Sequence, residues 1–269
     1  MEYELISVTP MSPKIGAEIG NVDLTRPLSP AQRDELRRAL VRYQVIFLRD
    51  QKISFDDLVR AGQYFGELAG HVGVRSNSKP TDNPFVRRYH FDETSKRVTE
   101  REFHSDQSCA EIPPAVSVLY NHTIPPDGAG DTLFMNMYAA YDDLSERMQH
   151  YLEGLTAVHD GARSYGEGSP ATSHPVIVRH PDSGKKAIFV NPGFTTKING
   201  LSDRESRHIL QFLFDHCVRV EWSCRFRWQP HSIAFWDNRC TLHKVISDFW
   251  PHVRSGYRVY VKAAEAPRL

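Results

Sequence analysis

From Val116 onward the chain is written as short apolar runs separated by turn residues, and this spacing narrows the fold more than any other feature. VSVLY (116–120) and TLFM (132–135) are β-rich, with the Pro/Gly turn PPDGAG between them. VIV (176–178) and AIFV (187–190) flank HPDSGKK, whose Asp, Ser and Gly suit a hairpin turn. RVEWSCRFRW alternates polar and apolar residues, SIAFWD is another short strand, and residues 257–262 alternate again. Runs this short must pair into sheets. Helices are predicted between them. Ser29-Pro30 reads as an N-cap and first helical position ahead of the amphipathic AQRDELRRALVRY. VIFL (45–48) is a buried strand, and Ser54 with Asp57 opens a second helix towards Gly66. Helices are also expected over 139–147 and 148–155, and from a Ser202/Glu205 capping box to Phe214. Many short strands with helices inserted predict a mainly-β, α+β fold: a sandwich or jelly roll flanked by helices.

The 269 residues fit one domain spanning 1–269. Two polar tracts interrupt it as candidate lids: 74–100, a loop broken by the short strand FVRRYHF, and 161–174, the small-residue run GARSYGEGSPATSH. A formal net charge of zero argues against a nucleic-acid groove or a polybasic membrane patch. No apolar run approaches the ~18 residues of a membrane span, and the N-terminus shows no secretory pattern, so the cytoplasm is the expected location. The four cysteines form no C-x-x-C pair and read as buried thiols.

FHSDQ sets His104 and Asp106 two residues apart, which on a strand turns both side chains to one face. WDNRCTLHKV offers His243 as a third ligand just after a strand ending near Asp237. Two imidazoles and one carboxylate on one face leave the opposite face open, the arrangement of non-haem Fe(II) oxygenases. Among 13 histidines an H-x-D arises easily by chance. Two downstream arginines shift the balance. Arg254 and Arg258 are four apart, so an extended strand turns both into one cavity. Each carries a planar fork suited to a carboxylate or sulfonate.

These motifs, with IGAEIGNVDLTRPLS, VIFLRDQ, FGEL, PPAV, GDTLF, AAYDDLS, HPVIVRHP, SGKKAIFVNPGFTT and RWQP, run in order along nearly the whole chain. In them the sequence resembles the taurine dioxygenase-like family, the TauD/TfdA group of Fe(II)/2-oxoglutarate-dependent dioxygenases. The resemblance implies a double-stranded β-helix (jelly-roll) core and a His104, Asp106, His243 ligand set. It implies that Thr132 in GDTLF hydrogen-bonds 2-oxoglutarate, that Arg254 takes the distal carboxylate, and that Arg258 faces the anionic group of the primary substrate. The cofactor and cosubstrates implied are Fe(II), 2-oxoglutarate and O2. The reaction implied couples decarboxylation of 2-oxoglutarate to succinate and CO2 with hydroxylation of a small anionic substrate, a sulfonate such as taurine or an aryloxyalkanoate or carboxylate. His71, Ser164 and Phe194 match positions that line the substrate pocket and Tyr165 conservatively replaces a phenylalanine there, whereas Val74 and Glu100 depart from the tyrosine and asparagine expected. Asp106 favours hydroxylation over halogenation, which needs that ligand position vacant for chloride. A homo-oligomer, dimer or tetramer, is also implied.

Two other classes stay open at this point. A jelly-roll protein that binds iron and 2-oxoglutarate with little turnover, as a sensor, would keep the three ligands. It need not keep Thr132, Arg254 and Arg258. A zinc hydrolase would want a general base, and no H-E-x-x-H-like motif supplies one.

Overall fold

The computed structural model describes residues 3–72, 78–95 and 102–269. Each of the three sequence-marked helix starts is capped as its residues demand. Ser29 and Gln32, Ser54 and Asp57, and Ser202 and Glu205 form reciprocal capping boxes at the helices Pro30–Tyr43, Phe55–Gln63 and Asp203–Cys217. The second helix therefore stops three residues short of Gly66. The segment expected as helix over 139–147 is split: Met137–Asp142 ends, and Ser145 begins Glu146–Leu152 by accepting from the Met148 amide. A serine in mid-pattern is an N-cap, not a helix interior.

The strands form one large sheet and three small ones. The large sheet runs in the order Ser7–Pro10, Ala17–Gly20, Val45–Leu48, Ser232–Asp237, Val116–Thr123, Arg254–Val261, Arg87–Phe91, Ser78–Pro80, with Leu68–Ala69 also pairing to Arg254–Val261. Facing it is an antiparallel sheet of Ser223–Phe226, Thr132–Asn136 and Thr241–Val245. Phe47, Leu119, Ala234 and Trp236 from the large sheet meet Phe134, Cys224 and Phe226 from the small one in a single buried cluster. The outer face of the large sheet packs Val118, Tyr120, Phe235 and Val259 against Leu36, Leu40 and Leu58 of the first two helices. The outer side of the small sheet is covered by a second core built from helices Met137–Asp142 and Asp203–Cys217 and the hairpin Ile177–Arg179/Lys186–Ile188. The protein is therefore mostly sheet with few helices.

Three expectations differ from what the chain forms. RVEWSCRFRW is not one strand. Val220–Trp222 is a 3-10 turn, fixed by the Trp222 indole donating to Cys217 O, and only Ser223–Phe226 is extended. The tract 74–100 holds two strands among its described residues, Ser78–Pro80 and Arg87–Phe91, which extend the large sheet. In 161–174, the last four residues belong to the strand Ala171–Pro175, paired with Thr156–Asp160. Arg87–Phe91 gains a partner from the distant strand Arg254–Val261, which its local composition does not reveal.

All four cysteines are buried, and none forms a disulfide among the described residues. His159 is also buried, 0% exposed, and is bonded through Nδ1 to Ser108 Oγ at 3.0 Å. Burial, helped by neighbouring His174, pushes its pKa down to about 3. An unfolded imidazole takes up its proton near 6.5. Between those values the unfolded chain binds a proton that the folded chain refuses, so stability falls as pH drops through this window. The slope is about 1.4 kcal/mol per pH unit for one such group. Urea midpoints measured from pH 7 to 4.5 should decline, and His159→Gln should flatten the decline; an unchanged slope would remove His159 as its source.

Candidate metal centre

The site begins at a backbone pairing. His104 and His243 form an isolated antiparallel bridge, with His104 N donating to His243 O at 3.1 Å and His243 N to His104 O at 2.9 Å. That bridge brings the two rings to 4.3 Å between centroids. A strand does end at Asp237, and His243 follows it within the next strand, Thr241–Val245. His104 and Asp106 do not share a regular strand either: after the bridge the chain turns at Asp106, and Gln107 takes a φ of 52°. The turn delivers the carboxylate that strand alternation was expected to deliver.

The side chains converge. Asp106 Oδ1 stands 3.6 Å from His104 Nε2 and its Oδ2 stands 3.8 Å from His243 Nε2. One ligand atom from each of the three residues lies within 4.8 Å of the others. Two coordination bonds of about 2.1 Å span roughly 4.2 Å, so the observed carboxylate–imidazole separations suit a shared ion. His104 Nδ1 donates to Glu102 O at 2.9 Å, which fixes the tautomer and leaves the Nε2 lone pair available. His104 Nε2 is buried with no hydrogen-bond partner among the described residues. Gly193 permits the approach, because a Cβ there would lie 2.7 Å from His104 Cβ.

Asp106 is held by Ser117 and Asn238, which sequence reasoning did not single out, and by Arg258, which it did. Ser117 Oγ donates to its Oδ2 at 2.7 Å, and Asn238 Nδ2 donates to Ser117 Oγ at 2.8 Å. Asn238 Oδ1 accepts from both the Asp106 amide (3.2 Å) and the Trp236 indole (3.1 Å). Arg258 Nη1 donates to Asp106 Oδ1 at 3.1 Å. Burial alone would raise the carboxyl's pKa; Arg258 and the two histidines outweigh it and hold it well below the usual range. Ser117 was discoverable: Val116, Val118 and Tyr120 pack outward, so a polar residue at 117 sits on the inward face.

On the other side of the cavity Arg254 is 3% exposed. Its Nε has no partner, and among the described residues no carboxylate lies within ion-pair distance. Burial and then the charge of Arg258 lower its pKa to about 10. Its guanidinium sits 5.8 Å from the Trp228 ring and 5.7 Å from the Phe249 ring. Gly130, at φ 86°, makes room: a Cβ would come 3.0 Å from Arg254 Cδ. Thr132 Oγ1 accepts from the Trp228 indole at 2.9 Å, which leaves the hydroxyl proton to donate elsewhere. Arg254 and Arg258 share a face of one strand, as their spacing required.

Three of the remaining expected pocket residues lie on the His104 side, and His71 lies beside Tyr260. The Phe194 ring is 6.2 Å from His104, and Tyr165 is 5.7 Å from Phe194. Ser164 Oγ donates to Gly193 O at 3.3 Å, behind His104. The His71 ring lies 4.8 Å from Tyr260; burial first, and then Arg87, push its pKa down to about 4, so it is neutral at pH 7. Val74 and Glu100 lie outside the described residues.

A second buried group, His180, Asp237 and Cys240, has ligand-like spacing but no coordination to offer. Asp237 accepts from Arg239 N and Nε on Oδ1 and from His180 and Arg239 Nη2 on Oδ2. The Cys240 thiol is pushed well above its ordinary pKa by burial, so it stays protonated.

Comparison with known proteins came out as follows. The family model described as taurine catabolism dioxygenase TauD, TfdA family matches residues 7–260. An alpha-ketoglutarate-dependent (that is, 2-oxoglutarate-dependent) sulfate ester dioxygenase of Pseudomonas putida is 31% identical over 282 residues, covering 97% of this chain and 91% of that one. The 2,4-dichlorophenoxyacetate dioxygenase of Cupriavidus pinatubonensis is 29% identical, covering 89% and 91%. The crystal structure of a taurine dioxygenase from Burkholderia xenovorans superposes with a TM-score of 0.87 at 33% identity, covering 98% and 93%.

Proposed function

We propose, since this chain belongs to the taurine catabolism dioxygenase TauD, TfdA family, that His104, Asp106 and His243 bind its Fe(II) and that it hydroxylates a small anionic organic substrate. The protein is a 2-oxoglutarate-dependent dioxygenase, using Fe(II), 2-oxoglutarate and O2. Fe(II) bound at the three ligands supplies the oxidative chemistry, coupling conversion of 2-oxoglutarate to succinate and CO2 with hydroxylation of a C–H bond.

The observation that carries the site reading is Arg254, a buried cation with no ion pair among the described residues, on the same strand face as Arg258, which contacts the ligand Asp106. A guanidinium so placed binds a dianionic cosubstrate by its far carboxylate. Thr132 adds a hydroxyl donor. Arg258, on the same strand face and beside Asp106, presents charge to the anionic group of the primary substrate, with His71 as a neutral hydrogen-bonding neighbour. Phe194, Tyr165 and Ser164 bound the substrate space on the His104 side. Sulfonates such as taurine, sulfate esters and aryloxyalkanoates all fit this charge pattern. The two facing sheets support a jelly-roll core within one domain, 1–269, with 74–100 and 161–174 as the tracts that cover the substrate. We place the enzyme in the cytoplasm as a homo-oligomer, dimer or tetramer, without nucleic-acid or membrane partners. A zero net charge is in keeping with that, and no described helix is long and apolar enough to cross a membrane. A lone cation built for a cosubstrate argues for turnover over a binding-only sensor.

The test is anaerobic addition of 2-oxoglutarate to Fe(II)-loaded protein, followed by a panel of sulfonates, sulfate esters and aryloxyalkanoates scored by succinate release. A visible metal-to-ligand absorption, followed by substrate-stimulated succinate, is the expected result. No absorption from folded, iron-loaded protein would overturn the reading.

Ser117 gives a finer check on the metal. Its hydroxyl, oriented by Asn238, sets which way the Asp106 carboxylate faces. Groups that orient a metal ligand typically contribute about 10–100-fold in metal affinity. Ser117→Ala should weaken Fe(II) or Mn(II) binding by that amount in a direct metal titration. Unchanged affinity would show that Arg258 alone orients Asp106.

A further inference from the structure

Asn121 lies on the inward face of the strand Val116–Thr123, two residues beyond Leu119 and four beyond Ser117. It is 0% exposed, and among the described residues neither Nδ2 nor Oδ1 has a hydrogen-bond partner. Across the strand pair it stands opposite Gly256. A Cβ at Gly256 would collide with Asn121 Oδ1 and with Tyr120 O, so the amide occupies the space that a side chain would fill. Gly256 is midway between Arg254 and Arg258 on the same strand face. The Asn121 carboxamide therefore lies in the interior between the two guanidinium-bearing positions, with an unused donor and an unused acceptor.

Buried amides are almost always bonded, and one left bare costs stability. Neighbouring Leu119 and Ala234 are hydrocarbon, and the Ser232 hydroxyl, opposite Asn121 on the adjacent strand, accepts instead from Arg49 and the Gln229 amide. Arg258 is committed to Asp106, whereas Arg254 has no ion pair among the described residues. A carboxylate brings about four lone-pair sites. The Arg254 fork uses two and the Thr132 hydroxyl one, which leaves one for a neutral donor.

We propose that the Asn121 carboxamide is a further cosubstrate contact, its Nδ2 donating to the distal carboxylate of 2-oxoglutarate alongside Arg254. The assignment rests on the reading of Arg254 given above. It makes Asn121 a determinant of the preference for a dicarboxylate over a shorter 2-oxoacid, because the amide serves only the end of the ligand remote from the metal.

The experiment is calorimetric titration of Mn(II)-loaded protein with N-oxalylglycine and with 2-oxobutyrate, which keeps the chelating end and lacks the distal carboxylate. Asn121→Ala should weaken N-oxalylglycine binding about 10–150-fold, the loss of one hydrogen bond to a charged group, and leave 2-oxobutyrate unchanged. Equal weakening of both ligands would overturn the proposal by locating the effect in packing. Unchanged binding of both would also overturn it, showing that the amide bonds only to solvent. Arg254→Ala run in parallel separates the two readings. If it leaves N-oxalylglycine affinity intact, the Arg254 assignment fails. If it weakens binding and Asn121→Ala does not, Asn121 alone fails. Asn121→Ala removes an unpaired polar group from the interior, so its melting temperature should match or exceed the parent's; Asn121→Ser serves as the second variant if the alanine protein does not fold.

Discussion

His104→Ala should abolish Fe(II)-dependent succinate formation while the protein stays folded. The expected loss in kcat/KM is at least a thousandfold, which corresponds to roughly 4 kcal/mol of transition-state stabilisation. The reason is local. His104 Nε2 is buried and makes no hydrogen bond among the described residues, so the ring's far nitrogen contributes nothing to the fold that a metal does not claim. Its main chain, by contrast, holds the bridge to His243 through both backbone hydrogen bonds, and alanine keeps them. The truncation removes packing beside Gly193 and Phe194, at a cost of about 1–3 kcal/mol. The check is metal content, melting temperature and succinate release measured on one preparation. Retained folding with lost metal and lost turnover is the expected triple. Succinate release within tenfold of the parent would take His104 off the metal.

Arg254→Ala should raise the 2-oxoglutarate concentration needed for half-maximal rate by about 150- to 5000-fold. Truncating one partner of a buried charge pair typically costs about 3–5 kcal/mol, because the other charge is left without compensation. In the free protein the sign reverses. Arg254 is a buried cation whose pKa is already pulled down to about 10 by burial and by Arg258, so removing it relieves repulsion within the cavity. The variant should melt no lower than the parent. It should also lose most of its preference for 2-oxoglutarate over 2-oxobutyrate, since the group that reads the distal carboxylate is gone. Steady-state kinetics with both oxoacids decides the matter, and an unchanged KM for 2-oxoglutarate would refute the role. Arg258 behaves differently, being paired with Asp106. Its loss disturbs a ligand as well as the substrate's anion site, so the Arg254 variant is the cleaner probe.

Local chemistry was legible where one residue type has one use. The capping serines at 29, 54 and 202, the hairpin at HPDSGKK and the buried VIFL strand all formed as read. The four-residue spacing of Arg254 and Arg258 placed both on one strand face. Less legible were segments whose structure depends on a partner. Arg87–Phe91 is a strand because Arg254–Val261 pairs with it, and nothing in its own charged sequence requires that. Ser145 looked like helix interior until its hydroxyl was seen to cap. The H-x-D pair converged for a different reason from the one its spacing suggested, through a bridge followed by a turn.

The sequence by itself determined which groups are available: two imidazoles and a carboxylate for a metal, two guanidiniums for anions, and a succession of strands too short to stand alone. Those follow from side-chain chemistry and from the period-two geometry of an extended backbone, both of which are local. Only the tertiary structure decided that His104 and His243 lie side by side, that Ser117 and Asn238 aim Asp106, that Arg254 has no ion pair among the described residues, and that Asn121 fills the space above Gly256. These depend on hydrogen bonds and exclusion between segments remote in the chain, where register is set by how two faces pack together and by which residue lacks a side chain.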